Sequence, residues 1–119
     1  VLANVANQLA RQLRRLHECG FEHRDLKSKN ILLSQANGEY RTWLLDLEGV
    51  RHWPVLPQQR WIQNLSRLNA SSLSVSEISL SDRLRFLKTY LGSAYSRSWK
   101  QTWQKIEART RRKIVKNLK

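Results

Sequence analysis

Apolar residues recur at spacings of three and four near the start of the chain, which predicts an amphipathic helix over residues 2–16. Gly20 follows where many helices end in left-handed backbone geometry. Residues 21–29 are dense in polar and charged side chains and predict a loop. Two short apolar stretches then flank an Asn-Gly pair, which is a strong turn signal. Residues 31–45 are therefore predicted to form a β-hairpin.

Helical spacing returns in the second half of the chain. It predicts three further helices, over residues 58–69, 82–91 and 98–118. Ser81 or Asp82 is the expected N-cap of the second of these helices, after a serine-rich segment at 71–81. The stretch between the hairpin and the helix at 58–69 contains two prolines and is expected to be irregular. This order of elements predicts an α+β fold that is mainly helical.

Composition narrows the class of protein. The 119 residues include 40% hydrophobic residues, which is enough to form a core and argues against disorder. No apolar run is long enough to cross a bilayer, and the one cysteine cannot form an internal disulfide. The 22 basic and 9 acidic residues give a net charge of +13. This charge predicts an anionic partner, which could be a nucleic acid, a phosphate-rich substrate or an anionic membrane.

The positive charge is concentrated in residues 97–119, which form a predicted basic C-terminal helix. This segment contains one acidic residue, Glu107, and has a net charge of +8. Its nine basic residues are Arg97, Lys100, Lys105, Arg109, Arg111, Arg112, Lys113, Lys116 and Lys119. Such a segment is either a solvated helix face or a patch that faces phosphate groups. Because each basic side chain near an anionic leaflet contributes roughly 1 kcal/mol, it could also hold the protein at a membrane.

Candidate chemistry lies around the predicted hairpin. Asp25 and Asn30 stand on the loop that enters it, and Asp46 directly follows its return strand. Since a hairpin brings its two ends together, Asn30 and Asp46 should be neighbours and could bind a hard cation such as Mg²⁺. Asp25 would be within reach as a base, and Lys27 could meet developing phosphate charge. Phosphoryl transfer requires this combination of groups.

The order of these residues resembles a known catalytic motif. His23 begins the run His-Arg-Asp-Leu-Lys-x-x-Asn-Ile-Leu-Leu, which is similar to the catalytic loop of the protein-kinase-like superfamily. The Asp-Leu-Glu-Gly at 46–49 stands where that superfamily has its Asp-Phe-Gly metal motif. Within the superfamily, the chain most resembles the lipopolysaccharide kinase (Kdo/WaaP) family, over residues 44–51, 64–69 and 83–91.

The resemblance implies a role for each matching residue. Asp25 resembles the catalytic base, and Lys27 resembles the lysine that binds and neutralises the γ-phosphate of ATP. Asn30 and Asp46 resemble the ligands of Mg²⁺ in the nucleotide site. The implied activity is that of a kinase that transfers phosphate from ATP to a sugar hydroxyl of the lipopolysaccharide inner core.

Other matching residues are implied to support the site. His23 would hold the loop in place. Arg24 would be a cation that positions the loop, and Gly49 would provide the glycine of the metal motif. Leu47 and Glu48 replace the usual Phe-Gly, so the glycine stands one position later in the sequence than in the usual motif. No Ala-Pro-Glu follows, which favours a small-molecule or sugar acceptor over a peptide. His17 and His52 are isolated histidines, typical of a surface or a helix end, and no role is assigned to them.

The resemblance also has consequences for architecture and location. Residues 1–119 would be the C-terminal lobe of a kinase-like domain without its N-terminal lobe, because no Gly-rich nucleotide loop or strand lysine is seen. The absence of Met agrees with a fragment, which is expected to bind nucleotide poorly by itself. The expected acceptor is lipopolysaccharide or a lipid A-core sugar. The expected location is the cytoplasm, with peripheral attachment to the cytoplasmic face of the inner membrane as an option.

Three alternatives remain open from the sequence. One is another enzyme of the same superfamily, acting on a different small molecule or on a Ser or Thr of a protein. A second is a catalytically inactive basic scaffold at the membrane. A third is a nucleic-acid-binding module, suggested by the charge of +13. Nucleic acid is the weakest of these partners, because no recognition-helix, aromatic RNA-binding or zinc motif is present.

Overall fold

The computed structural model describes residues 2–73, 78–92 and 97–118. The fold is α+β and mainly helical, which confirms the predicted class. Four helices and four short strands make up its regular structure in these ranges: α1 Leu2–Glu18, β1 Phe21–His23, β2 Ile31–Ala36, β3 Glu39–Leu44, β4 Val50–His52, α2 Gln58–Ser72, α3 Leu80–Leu91 and α4 Trp99–Leu118. None of the described helices is both long and apolar enough to cross a bilayer.

The hairpin forms as the sequence predicted. Strands β2 and β3 pair antiparallel, with Ile31 opposite Leu44 at the open end and Ala36 opposite Glu39 at the turn. The two turn residues, Asn37 and Gly38, have φ angles of 53° and 77°. Asparagine and glycine adopt this left-handed geometry more readily than other residues, which is why this pair specifies a two-residue turn. The hairpin therefore fixes which residues meet at its open end.

The prediction of a loop over residues 21–29 is wrong for its first three residues, because residues 21–23 form strand β1. This strand pairs antiparallel with β4, with His23 opposite Val50. The stretch expected to be irregular before α2 therefore begins with a strand. Gly20 makes the approach between the two segments feasible, since it has φ +86° and a Cβ there would lie 2.1 Å from the carbonyl oxygen of Trp53. Strands of three residues are too short to show alternation in sequence.

The helices enclose one hydrophobic core, in which α1 packs against α3 and α2 against α4. Its fully buried members include Leu13 of α1, Leu87 of α3 and Leu26, which comes from the loop after β1. Leu26 therefore anchors the loop that carries Asp25 and Lys27 directly in the core. Three tryptophans are partly buried against this core, as expected for structural aromatic residues: Trp61, Trp99 and Trp103.

The start of α3 differs from the prediction. Its N-cap is Ser79, and not Ser81 or Asp82. The Ser79 hydroxyl accepts a hydrogen bond from the Asp82 N–H at 3.1 Å, and the Asp82 carboxylate accepts one from the Ser79 N–H at 2.9 Å. Asp82 is thus the third residue of a capping box. Within the serine-rich segment, residues 74–77 lie outside the described ranges.

Helix α2 continues three residues beyond its predicted end at residue 69. The Ser71 and Ser72 hydroxyls donate to the carbonyl oxygens of Leu68 and Asn69, at 2.9 and 2.8 Å. Serine lowers helix propensity because its hydroxyl competes for backbone groups. Here those hydroxyls bond back to the last turns of the same helix, so the serines extend α2.

Candidate active site

His23 holds together the two segments that form the site. Its side chain is completely buried, at the end of β1. Ring atom Nε2 lies 2.7 Å from the carbonyl oxygen of Leu45, so it donates, and Nδ1 accepts a hydrogen bond from the Asp25 N–H at 3.2 Å. A single imidazole thus connects the start of the Asp25 loop to the end of the hairpin.

Asp25 lies at the centre of the site, with its side chain 34% exposed. Its Oδ1 is 3.0 Å from Lys27 Nζ and 3.7 Å from Arg67 Nη1. Its Oδ2 accepts a hydrogen bond at 3.2 Å from the Asn30 amide, which also donates to the Asp25 carbonyl oxygen at 2.8 Å. The hydrogen bond from Lys27, followed by the neighbouring positive charges and the Asn30 amide, lowers the pKa of Asp25. The carboxylate is therefore ionised at neutral pH.

The open end of the hairpin brings the backbones of Asn30 and Asp46 close together. The Leu45 N–H donates to the Asn30 carbonyl oxygen at 2.8 Å, so Asn30 is bonded to the residue that precedes Asp46. Asp46 is exposed and has φ +60°, which turns the chain sharply after the hairpin. Its carbonyl oxygen accepts from the Gly49 N–H at 3.2 Å and closes a short 3₁₀ turn.

The donor set at this end suits a hard cation. The Asn30 nitrogen is engaged by Asp25, which leaves the amide oxygen as the atom for a metal, and Asp46 adds a carboxylate. Mg²⁺ binds through one or two such oxygens while it keeps several waters. Across residues 2–73, 78–92 and 97–118, no cluster of three or more His, Cys, Asp or Glu side chains that could hold a metal ion is found.

Arg24 and Gly49 contribute through their backbones. The Arg24 N–H donates to the Gly49 carbonyl oxygen at 2.8 Å, and the Arg24 carbonyl oxygen accepts from the Arg67 guanidinium. The side chains of Arg24 and Glu48 are exposed. The structure therefore brings Gly49, the loop and α2 together, whereas the Arg24 cation points into solvent.

Two site residues on α2 were missed by sequence reasoning. Arg67 bonds the Arg24 carbonyl oxygen and lies beside the Asp25 carboxylate. Asn64 is buried, and its Oδ1 accepts from the His23 N–H at 2.9 Å. A signal was available, since both residues lie in the 64–69 segment that carries the family resemblance. Asn64 also stands between the apolar residues of this helix, where a polar side chain needs buried partners.

His17 lies in the last turn of α1, which is one of the two expected places, and it is buried beside the residues that support the site. Its Nε2 is 3.3 Å from Asn64 Oδ1, and its Nδ1 is 2.6 Å from the Tyr90 hydroxyl. An amide oxygen only accepts, so Nε2 carries the proton and Nδ1 accepts from Tyr90. Burial lowers the pKa of His17 to about 4, so it is neutral at physiological pH.

This buried histidine makes stability depend on pH. Below pH 6.5 the unfolded chain protonates His17 while the folded chain does not, until the pH approaches 4. Between pH 7 and pH 4.5 this difference should remove about 2 kcal/mol of unfolding free energy. Urea unfolding at both pH values measures it. His17→Gln should flatten the dependence by that amount, whereas exposed His52→Gln should not. Equal pH dependence in wild type and His17→Gln would contradict the assignment.

The fold defined by this loop, hairpin and helical core is that of a solved WaaP structure. A solved structure described as "WaaP in complex with acyl carrier protein" superposes with a TM-score of 0.78. The match covers 93% of this chain and 48% of that chain, at 22% sequence identity. It establishes the fold.

The family follows from the sequence comparison. The model of the lipopolysaccharide kinase (Kdo/WaaP) family matches residues 3–90, and the chain belongs to this family. It is 37% identical over 67 residues to a 3-deoxy-D-manno-octulosonic acid kinase of Mannheimia succiniciproducens, covering 56% of this chain and 27% of that protein. It is 38% identical over 69 residues to the enzyme of that name from Xylella fastidiosa, covering 57% and 26%. The chain thus spans about a quarter of the length of these relatives.

Proposed function

We propose that the protein is an ATP-dependent kinase that phosphorylates a hydroxyl of an acidic sugar in the lipopolysaccharide inner core. The observation that carries this proposal is the ionised Asp25 carboxylate, held between Lys27 and Asn30 beside the open end of the hairpin. The names of the relatives support the acceptor class, since they are kinases of 3-deoxy-D-manno-octulosonic acid. Membership of a kinase family counts against the nucleic-acid-binding alternative.

In the proposed reaction Asp25 orients the acceptor hydroxyl and receives its proton. The hydroxyl oxygen forms a bond to the γ-phosphorus of ATP as the bond to the β–γ bridging oxygen breaks, and ADP leaves. Because the pKa of Asp25 is lowered, it is a weak base and takes the proton late, after most of the charge has moved to the phosphoryl group. Lys27, 3.0 Å from Asp25 Oδ1, would neutralise that charge.

Asn30 and Asp46 would hold Mg²⁺ through the amide oxygen and the carboxylate. When bound, the ion supplies positive charge to the β- and γ-phosphates. The roles of the two residues differ within the chain: Asn30 also orients Asp25 through its amide nitrogen, whereas Asp46 follows the return strand and is exposed. Asp46 is therefore the better residue for testing metal binding alone.

Asp46→Asn should raise the Mg²⁺ concentration for half-maximal phosphoryl transfer by about tenfold or more, because the variant loses a charged oxygen ligand. The measurement is transfer of phosphate from ATP to the acidic sugar by the complete encoded protein, titrated with Mg²⁺. Glu39→Gln, which removes an exposed carboxylate at the hairpin turn, is the matched control and should leave the titration unchanged. An unchanged Mg²⁺ titration in Asp46→Asn would contradict this metal assignment.

A further inference from the structure

The basic residues of α4 do not share one environment. Several of them are solvated, such as Arg111, which pairs with Glu107 at 3.1 Å, and Lys100, whose ammonium lies 5.8 Å from the Trp99 ring centre. Lys113 differs, because it is half-buried and burial lowers its pKa. At least one basic side chain of the C-terminal segment is therefore partly covered by the rest of the protein.

The position of Lys113 is set by a buried contact between α4 and α2. Thr110 is buried, and its hydroxyl accepts a hydrogen bond from the Asn69 amide at 3.1 Å and donates to the Ile106 carbonyl oxygen at 2.7 Å. Residues three apart on a helix share a face, so Lys113 lies one turn beyond Thr110 on the side that meets α2. The Thr110 hydroxyl also lies 3.5 Å from the carbonyl oxygen of Ser66, the residue that precedes Arg67 in α2.

Lys113 interacts electrostatically with the candidate active site. The charges of Arg67 and Lys27 repel it, and the charge of Asp25 attracts it. Lys27 and Arg67 approach the Asp25 carboxylate at 3.0 and 3.7 Å, so three cations interact with a single carboxylate. Among the described residues, Lys113 has no carboxylate within ion-pair distance. Such an excess of positive charge favours the binding of an anion.

Asp25 divides the site into two sides. Its Oδ2 faces Asn30 and the end of the hairpin, where the nucleotide and its metal would bind. Its Oδ1 faces Lys27 and Arg67, and Lys113 interacts electrostatically with these two cations and with Asp25. The cation side thus lies next to the carboxylate that would orient the acceptor hydroxyl.

We propose that Lys113, together with Arg67, binds the carboxylate of the acidic sugar acceptor and so selects for an acidic over a neutral sugar. This inference rests on the proposed function. It makes α4 part of the acceptor site, although Lys113 lies outside the residues 3–90 that match the family model. A guanidinium and an ammonium on adjacent helices can bond the two oxygens of one carboxylate.

The test compares the acidic sugar with its methyl ester as acceptors for the complete encoded protein. Lys113→Gln should raise the KM for the acid by about tenfold and reduce the preference for the acid over the ester to a similar extent. The kcat and the KM for ATP should stay within about twofold. Lys113→Arg should retain the acid preference. Lys105→Gln, an exposed lysine on the same helix, is the matched control and should behave as wild type.

The outcomes separate this inference from the proposed function. Wild-type transfer to the sugar with an unchanged KM in Lys113→Gln would overturn the role of Lys113 and leave the kinase assignment standing. A rise in the KM for ATP alone would also overturn it, since Lys113 would then serve the nucleotide. Failure of the wild-type protein to phosphorylate any acceptor would overturn the proposed function and this inference with it.

Discussion

Replacing Asp25 with Asn should lower the kcat for phosphoryl transfer by at least about 100-fold, the loss expected when a positioned base is removed. The amide has nearly the same shape, so the loop should stay folded on the buried anchor Leu26. It cannot receive the hydroxyl proton, and it no longer offsets the charges of Lys27 and Arg67. The measurement is the steady-state rate of ADP formation that depends on the acceptor.

Glu18→Gln is the control for this substitution. Glu18 is exposed and pairs with Arg14 of the same helix at 2.7 Å, so its loss removes a carboxylate charge outside the site. Its kcat should match wild type. If Asp25→Asn kept a rate within a few-fold of wild type while remaining folded, Asp25 would not be the base.

Replacing Asn64 with Leu should destabilise the protein by about 2 to 5 kcal/mol, because two buried donors would lose their acceptor. These donors are the His23 N–H, at 2.9 Å from Asn64 Oδ1, and His17 Nε2, at 3.3 Å. Leucine fills a comparable volume, so the loss reports mainly on hydrogen bonds. Urea unfolding at neutral pH measures the change.

Gln63→Leu provides the matched control, since Gln63 is the exposed neighbour of Asn64 on α2. It introduces the same side chain without removing a buried acceptor and should change stability by less than about 0.5 kcal/mol. Equal effects of the two substitutions would show that Asn64 does not support the His23 loop. A lower stability of Asn64→Leu than of Gln63→Leu would also concern the candidate active site, because the His23 that Asn64 supports contacts both Leu45 and Asp25.

Local signals in the sequence predicted most of the fold. The Asn-Gly pair specified a two-residue turn, and from that turn the pairing of β2 with β3 followed. Helical spacing found all four described helices, with ends that differ by a few residues. The motif that begins at His23 then indicated which residues stand at the open end of the hairpin, because its order matches a known catalytic loop.

The remaining features depend on contacts between distant parts of the chain. Strands β1 and β4 are each three residues long and are stabilised by each other, so neither shows a pattern by itself. His17 looked like an isolated histidine because its partners, Asn64 and Tyr90, come from two later helices. Lys113 looked like one charge in a basic run, and only the packing of α4 on α2 distinguishes it.

The proposed function requires the Asp25 loop and the hairpin to form a phosphoryl-transfer site for an acidic sugar. Phosphorus NMR of the complete encoded protein with ATP, Mg²⁺ and 3-deoxy-D-manno-octulosonic acid at the end of a lipopolysaccharide core tests it most directly. We expect a new phosphomonoester signal on the sugar, formed in equal amount with ADP and absent in Asp25→Asn. ATP that stays intact, or that yields only inorganic phosphate while the sugar is unchanged, would contradict it.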